Sequence, residues 1–210
     1  MKVAVSYLNV KKKHIPKVIR ELDKTDVDFI HVDVMDGHFV RGKANNFKDV
    51  NKYSLLTRKR LDIHFMVKKP LKVIDNYASL NVFCMSFHLG IKNDLNEVID
   101  RCHNYGIKVG IALNPDEKIE LLEPFLDKID LVLVMSVKPG LPGQEFIKDV
   151  LPKIKELRKK INKEKRNILI SVDGGVNASN KDFLGDADIL VSGSFITNSL
   201  NMQDAIEELR

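Results

Sequence analysis

The sequence predicts an α/β protein built as a single closed (β/α)8 barrel, and three observations support this fold class. Short apolar runs rich in β-branched residues recur at fairly even intervals, and eight of them can be counted. Amphipathic segments with helical spacing lie between the runs. Polar residues and glycines gather where the runs end, which is where β/α barrels place their active sites. Strands that alternate with helices pair in parallel, so an open, doubly wound sheet is the competing arrangement.

The eight apolar runs are the predicted strands. Most of them are continuously apolar rather than alternating, as expected for strands that are buried on both faces. They cover residues 2–6, 29–33, 60–66, 82–87, 108–113, 131–135, 168–172 and 189–191. Their even spacing suggests eight similar units and favours the closed barrel over the open sheet.

Four segments have the clearest helical pattern. The predicted helices span residues 15–22, 95–105, 146–161 and 204–210. The second of them follows Asp94, a residue type that often caps a helix N-terminus. Residues 37–46 form a long irregular connection, and long βα loops usually carry function.

Composition and charge limit the classes of function. The 210 residues suit one domain, 1–210, and 44% hydrophobic with 30% charged residues is ordinary for a globular protein. The 34 basic and 29 acidic residues give a net charge of +5, but the lysines are dispersed and have no interleaved aromatic residues. We therefore expect no nucleic-acid partner, although a mildly positive field suits an anionic substrate.

Cysteine usage and hydropathy predict a cytoplasmic protein. The two cysteines form no CxxC motif or disulfide framework, which indicates a reducing compartment. The N-terminus lacks the pattern of a signal peptide. No run approaches the roughly 20 apolar residues of a membrane span, so no membrane partner is expected.

Four polar residues at strand ends predict a divalent-metal site. His31 and Asp33 lie two apart on the second predicted strand and therefore face the same side. His64 lies near the end of the third predicted strand and Asp173 follows the seventh, so both can meet the first pair. A single strand histidine is more often a core residue, but four unpaired buried groups would be costly. Two imidazoles and two carboxylates suit a divalent ion. His88, just past the fourth predicted strand, is left out of the set.

Glycine clusters predict a phosphate site beside the metal. Gly174 and Gly175 follow the seventh predicted strand, and Gly193 and Ser194 follow the eighth. Barrels commonly hold phosphate here with backbone N–H groups and a helix N-terminus. A further segment can close over the same end and consists of Gly140, Leu141, Pro142 and Gly143.

Three methionines follow strands that point into the same mouth: Met35, Met66 and Met135. They suit flexible core packing. They equally suit an apolar wall that keeps water from a reactive intermediate.

Five strings of the sequence resemble motifs of the ribulose-phosphate 3-epimerase family, in the family's order. They are His-Val-Asp-Val-Met-Asp-Gly-His-Phe-Val at 31–40, Asp-Ile-His-Phe-Met-Val at 62–67, Met-Ser-Val-Lys-Pro-Gly at 135–140, Val-Asp-Gly-Gly at 172–175 and Val-Ser-Gly-Ser at 191–194. The resemblance implies a TIM barrel of the ribulose-phosphate-binding type. It also implies an isomerase that interconverts D-ribulose 5-phosphate and D-xylulose 5-phosphate in the pentose phosphate pathway, through a metal-stabilised enediolate.

The resemblance assigns roles to matching residues. Asp33 and Asp173 match the two acid/base carboxylates, and together with His31 and His64 they match the metal ligands. Positions that match substrate contacts are Ser6, His64, Gly140, Leu141, Pro142, Gly143, Asp173, Gly174, Gly175, Gly193 and Ser194. The expected cofactor is one divalent ion (zinc, iron, manganese or cobalt). The expected partner is a small sugar phosphate, and assembly into a homo-oligomer is left open.

Departures from the family pattern fall in loops around the mouth and keep alternatives open. Arg41 and Gly42 replace a Pro-Asn pair, Leu141 and Pro142 interrupt a glycine-rich segment, and Gly90 replaces a glutamate. A ketohexose 6-phosphate such as D-allulose 6-phosphate is therefore an alternative substrate. A non-catalytic sugar-phosphate-binding paralogue is a second alternative. Another phosphate-binding barrel, such as a decarboxylase, is a third, but it would not need the two histidines.

Overall fold

Eight parallel strands close into a ring in the computed structural model, which describes residues 1–210. In chain order the strands are β1 (Lys2–Ser6), β2 (Phe29–Asp36), β3 (Lys43–Ala44), β4 (Arg60–Met66), β5 (Val82–His88), β6 (Lys108–Leu113), β7 (Leu131–Met135), β8 (Leu169–Asp173) and β9 (Ile189–Ser192). Pairing follows the order β1-β9-β8-β7-β6-β5-β4-β2, and β1 pairs with β2 to complete the ring. The predicted (β/α)8 barrel is confirmed. The two-residue β3, within the predicted irregular connection, pairs antiparallel with the end of β2.

Helices surround the ring, but the connections are less regular than the sequence suggested. The helices are α1 (Ile15–Leu22), α2 (Phe47–Ser54), α3 (Ile74–Ala78), α4 (Leu95–Asn104), α5 (Leu151–Lys163), α6 (Ser194–Thr197) and α7 (Met202–Glu208). The β6–β7 and β8–β9 connections have only 3-10 turns, Ile119–Leu122 and Lys181–Leu184. The expectation of eight similar units is therefore wrong in detail. None of the helices is long and apolar enough to cross a membrane.

Two predicted helices are shifted along the chain. The helix predicted at 146–161 begins at Leu151, because Ile147 is extended and its N–H bonds to the Ser136 carbonyl at 2.8 Å. Pro152 at the start of α5 suits a first helical turn. The helix predicted at 204–210 begins at Met202 and ends at Glu208.

The buried residues form two apolar layers. The larger layer lies between the strands and the helices and contains 51 residues. The smaller one fills the barrel with 11 residues, among them Phe29 and Phe83, whose rings stack at 4.0 Å. Phe29 starts β2, and the same face of that strand continues with His31 and Asp33. The interior therefore changes from apolar to ionisable as β2 approaches its carboxyl end.

Candidate active site

The four residues of the predicted metal site lie together at the carboxyl end of the barrel. One ligand atom from each of His31, Asp33, His64 and Asp173 lies within 4.8 Å of the other three. His64 Nδ1 is 3.1 Å from Asp33 Oδ1 and 3.7 Å from Asp173 Oδ2. We call these four residues the His–Asp cluster.

The two carboxylates of the cluster approach it from different sides of the ring. Asp33 is on β2 and Asp173 ends β8, with β1 and β9 between these strands. His31 Nε2 lies 3.6 Å from a carboxylate oxygen of each. The side chain of Asp33 is 7% exposed and that of Asp173 is 15% exposed, so the cluster is largely shielded from water.

The donor set of the cluster fits a divalent ion. His31 Nε2 is fully buried and has no hydrogen-bond partner, although it faces two carboxylates. A separation of 3.6 Å is too long for a hydrogen bond. It does match two ligands of one ion, since donors held tetrahedrally at about 2.1 Å from zinc are roughly 3.4 Å apart. Nitrogen and oxygen donors of this kind suit zinc and other first-row metals.

Three further side chains lie within hydrogen-bond distance of members of the cluster. Asp62 Oδ2 is 2.7 Å from His31 Nδ1, and His88 Nε2 is 2.8 Å from His64 Nε2. The hydroxyl of Ser6 donates to Asp33 Oδ2 at 2.9 Å. All three residues are buried.

Sequence reasoning did not assign Asp62 to the site and left His88 out of the metal set. The signal for Asp62 was present, since it precedes His64 by two residues and shares its face of β4, as His31 precedes Asp33 on β2. The signal for His88 was weaker, namely its position just past the fourth predicted strand. It ends β5, next to β4, and only the pairing of these strands brings it against His64.

In the site, desolvation and neighbouring charges shift the pKa values of His31 and Asp33 in opposite directions. Desolvation acts to lower the pKa of His31, but the charges of Asp33 and Asp62 raise it well above its usual range. Desolvation acts to raise the pKa of Asp33, but the charge of His31, together with the charge of His64 and its hydrogen bond, holds it below its usual range. Burial lowers the pKa of His88 to about 2, and the charge of His64 acts in the same direction. The carboxylates therefore favour positive charge at the centre of the cluster, while the His88 ring stays neutral.

A cavity of about 850 Å³ opens above the cluster and includes most of the predicted substrate positions. It is lined by Asp33, His64, Asp173 and the three predicted segments, Gly140 to Gly143, Gly174 to Gly175 and Gly193 to Ser194. Ser6 is not among the lining residues and contacts Asp33 instead. Lys138 and Lys148 also line the cavity, together with Glu145.

Two of the lining glycines are required by close packing. Gly174 and Gly175 have positive φ values of 122° and 64°. A Cβ atom at Gly174 would lie 2.5 Å from a methyl carbon of Val137, and one at Gly175 would lie 2.6 Å from the Phe146 backbone nitrogen. Any larger residue would push the loops apart, so glycine lets the chain bend tightly beside the cavity.

The three methionines are not equivalent in the structure. Met66 and Met135 line the main cavity, as the apolar-wall prediction requires. Met35 lines a neighbouring cavity of about 580 Å³ beside β3. All three side chains are buried, so packing accounts for their position in either case.

The fold and the His–Asp cluster together define a class of protein: a (β/α)8 barrel with a candidate metal site at its mouth and a glycine-rich rim. The sequence model of the ribulose-phosphate 3 epimerase family matches residues 2–197. A ribulose-phosphate 3-epimerase of Buchnera aphidicola is 39% identical, over 98% of this chain and 92% of the relative. That of Bacillus subtilis is 36% identical, over 100% of this chain and 98% of the relative. The chain belongs to the ribulose-phosphate 3-epimerase family and is an enzyme of the isomerase class.

Solved structures with little sequence identity share the same fold. The KGPDC of Streptococcus mutans superposes with a TM-score of 0.71 at 15% identity, over 99% of this chain and 94% of that one. A 3-hexulose-6-phosphate synthase superposes with a TM-score of 0.67 at 14% identity, over 100% and 98%. These similarities concern the barrel alone.

Proposed function

We propose that residues 1–210 form one catalytic domain that interconverts D-ribulose 5-phosphate and D-xylulose 5-phosphate by inverting C3. One observation carries the proposal: Asp33 and Asp173 approach the same point from separate sides of the ring, each 3.6 Å from His31 Nε2. Inversion needs one group to remove a proton from one face of a carbon and another to deliver one to the opposite face. Two carboxylates in this arrangement supply both groups.

Asp33 is the base for the forward direction in this proposal. Its lowered pKa keeps it ionised, and the Ser6 hydroxyl orients one of its oxygens. Asp33 removes the proton from C3, and protonated Asp173 delivers a proton to the other face. The two residues exchange roles in the reverse reaction. The two carboxyl groups must therefore share one proton between them, as a coupled pair.

His31, Asp33, His64 and Asp173 would hold one divalent ion. When bound, a zinc, iron, manganese or cobalt ion supplies positive charge that stabilises the enediolate formed as C3 loses its proton. Removal of a proton next to a ketone is slow without such stabilisation. Asp62 and Ser6 orient His31 and Asp33 for this task.

The phosphate group is proposed to bind at the glycine-rich rim of the cavity, next to Gly174, Gly175, Gly193 and Ser194. Backbone N–H groups at such glycine-rich turns suit anions. Phosphate held there would fix C3 between the two aspartates, and fixed orientation is itself a large part of catalysis. Met66 and Met135 would form an apolar boundary beside the reacting carbon.

One further feature supports this function. The relatives from Buchnera aphidicola and Bacillus subtilis, matched over nearly their whole length, are named for the same reaction. Separately, Cys84 and Cys102 are free and buried, which is compatible with the reducing compartment expected from the sequence.

The test is an assay of purified enzyme with D-ribulose 5-phosphate in D2O, followed by NMR. The expected result is formation of D-xylulose 5-phosphate with deuterium at C3, loss of activity with chelator, and recovery with added metal. Parallel reactions with D-allulose 6-phosphate compare the hexose alternative, and a higher kcat/KM on that sugar would replace the pentose assignment. Absence of both epimerisation and C3 deuteration, in enzyme loaded with each of the four metals, would reject the proposed function.

A further inference from the structure

The His64 side chain lies between two partners that cannot both accept a proton from its neutral ring, which carries only one N–H. Its Nδ1 atom faces the carboxylates, 3.1 Å from Asp33 Oδ1. Its Nε2 atom faces His88 Nε2 at 2.8 Å, which is hydrogen-bond distance. A hydrogen bond between two imidazole nitrogens needs a proton on one and a lone pair on the other. The state of His88 therefore decides which nitrogen of His64 presents a lone pair.

Coordination of a metal fixes the direction of this hydrogen bond. His64 must present a lone pair at Nδ1 to act as a ligand, so its proton must lie on Nε2. His88 Nε2 must then be the acceptor. We propose that His88 is a positioning residue that accepts this proton and so holds His64 in the metal-binding tautomer. The inference rests on the metal site of the proposed function.

The surroundings of His88 support a fixed, neutral acceptor. His88 is fully buried, and its Nδ1 atom has no hydrogen-bond partner in the protein. The Phe39 ring covers it, with ring centroids 5.0 Å apart. Phe39 is held in turn by a hydrogen bond from its N–H to Asp36 Oδ1 at 2.8 Å. The loop after β2 therefore closes the site over His88 and limits the rotation of its ring.

The two histidine ligands are held by different chemistry. The ring nitrogen of His31 that faces away from the cluster contacts a carboxylate, since Asp62 Oδ2 lies 2.7 Å from Nδ1. His64 has an imidazole in the equivalent place. Asp33, Asp62 and Asp173 already bring three carboxylates to this region. A neutral acceptor orients His64 without adding a fourth negative charge beside an anionic substrate.

The first experiment measures zinc affinity of the intact protein by competition with a chromophoric chelator. His88→Leu removes the acceptor, and we expect the affinity to fall about 10- to 100-fold. His88→Gln places an amide oxygen that can accept the same proton, and most of the affinity should return. His14→Leu changes an exposed histidine that is neither in the cluster nor among the residues lining the cavity, and it should leave the affinity unchanged.

The second experiment does not depend on whether a variant folds. NMR of 15N-labelled histidines in the zinc-loaded wild-type protein reports which ring nitrogens carry protons. We expect His88 to have a proton on Nδ1 and a bare Nε2, and His64 to have a proton on Nε2. A His88 proton on Nε2, or equal zinc affinity of His88→Leu and wild type, would overturn the inference. Failure of the wild type itself to bind zinc or any of the other three ions would instead overturn the metal site, and the role of His88 with it.

Discussion

Aspartates lie at both ends of the barrel, and those of the candidate site have different partners from those at the amino end. At the amino end Asp28, Asp130 and Asp188 each directly precede a strand, namely β2, β7 and β9. Each accepts a hydrogen bond from the second residue of a neighbouring strand. These bonds come from the backbone N–H of Val3 at 2.9 Å, Val109 at 2.9 Å and Ile170 at 2.7 Å. The same device thus ties together three pairs of strands.

Basic side chains are the second partners of the amino-end aspartates. Asp28 is paired with Arg210, Asp130 with His103 and Lys108, and Asp188 with Arg158. The carboxylates at the other end have no lysine or arginine partner. Asp33, Asp62 and Asp173 have histidine ring nitrogens as their neighbours instead.

The partner, and not the residue type, separates a structural carboxylate from a catalytic one. A carboxylate that is bonded to backbone N–H and to a fixed cation is fully satisfied and stabilises the fold. A carboxylate that faces imidazoles and an unpartnered ring nitrogen is available to an ion and to a proton. This agrees with the general division of β/α barrels into a stability face and an active face.

Of the variants considered, Asp173→Asn is expected to have the largest effect, a loss of turnover. The amide cannot donate or accept the C3 proton, so kcat should fall by at least about 100-fold. The matched control is Asp188→Asn, the same change at the amino end, which should leave kcat near the wild-type value. Near-normal turnover of purified Asp173→Asn would contradict a catalytic role for this aspartate and with it the functional difference between the two ends of the barrel.

A smaller effect is expected from Asp62→Asn, which keeps an acceptor for His31 but removes its charge. Zinc affinity should weaken by about 10- to 100-fold, as for other residues that orient a metal ligand. Competition with a chelator measures it, and Asp130→Asn is the control at the amino end. If both variants bind zinc as the wild type does, Asp62 has no role in the site.

Asp188→Ala should reduce stability and leave chemistry intact. It removes the acceptor of the Ile170 N–H and of Arg158 Nη2, at a cost of about 1–3 kcal/mol in the free energy of unfolding. Urea denaturation gives this free energy, and kcat measured well below the transition should be unchanged. A fall in kcat without a fall in stability would contradict the structural assignment.

The smallest effect concerns acid stability and Asp130. Burial acts to raise its pKa, but hydrogen bonds from the Val109 N–H and His103 lower it below the ordinary value of 3.8. A carboxylate with a lowered pKa stabilises the fold above its unfolded-state pKa, and this contribution disappears as pH falls through the folded-state pKa. The difference in unfolding free energy between wild type and Asp130→Asn should therefore be below about 1 kcal/mol at neutral pH. It should vanish as pH falls below 3.8. Unfolding measured across this range tests the sign, and a difference that grows in acid would refute it.

Much of the fold could be predicted because buried strands and helix faces require local patterns of apolar residues in the sequence. Four of the eight predicted strands, such as 60–66 and 131–135, have the bounds seen in the structure. The least accurate prediction, the helix at 146–161, failed because Ile147 bonds across to Ser136, and no pattern within the segment reports such a contact. The two four-residue 3-10 turns that stand in place of helices after β6 and β8 were not predicted.

The sequence by itself determined that His31, Asp33, His64 and Asp173 would stand at strand ends, because side-chain direction alternates along a strand and ionisable residues interrupt apolar runs there. Only the tertiary structure decided that His88 supports His64, that Ser6 contacts Asp33, and that Met35 lines a different cavity from Met66. Those relations depend on the closure of the ring and on the register between strands. Register is a property of pairs of segments distant in the chain, so no single segment encodes it.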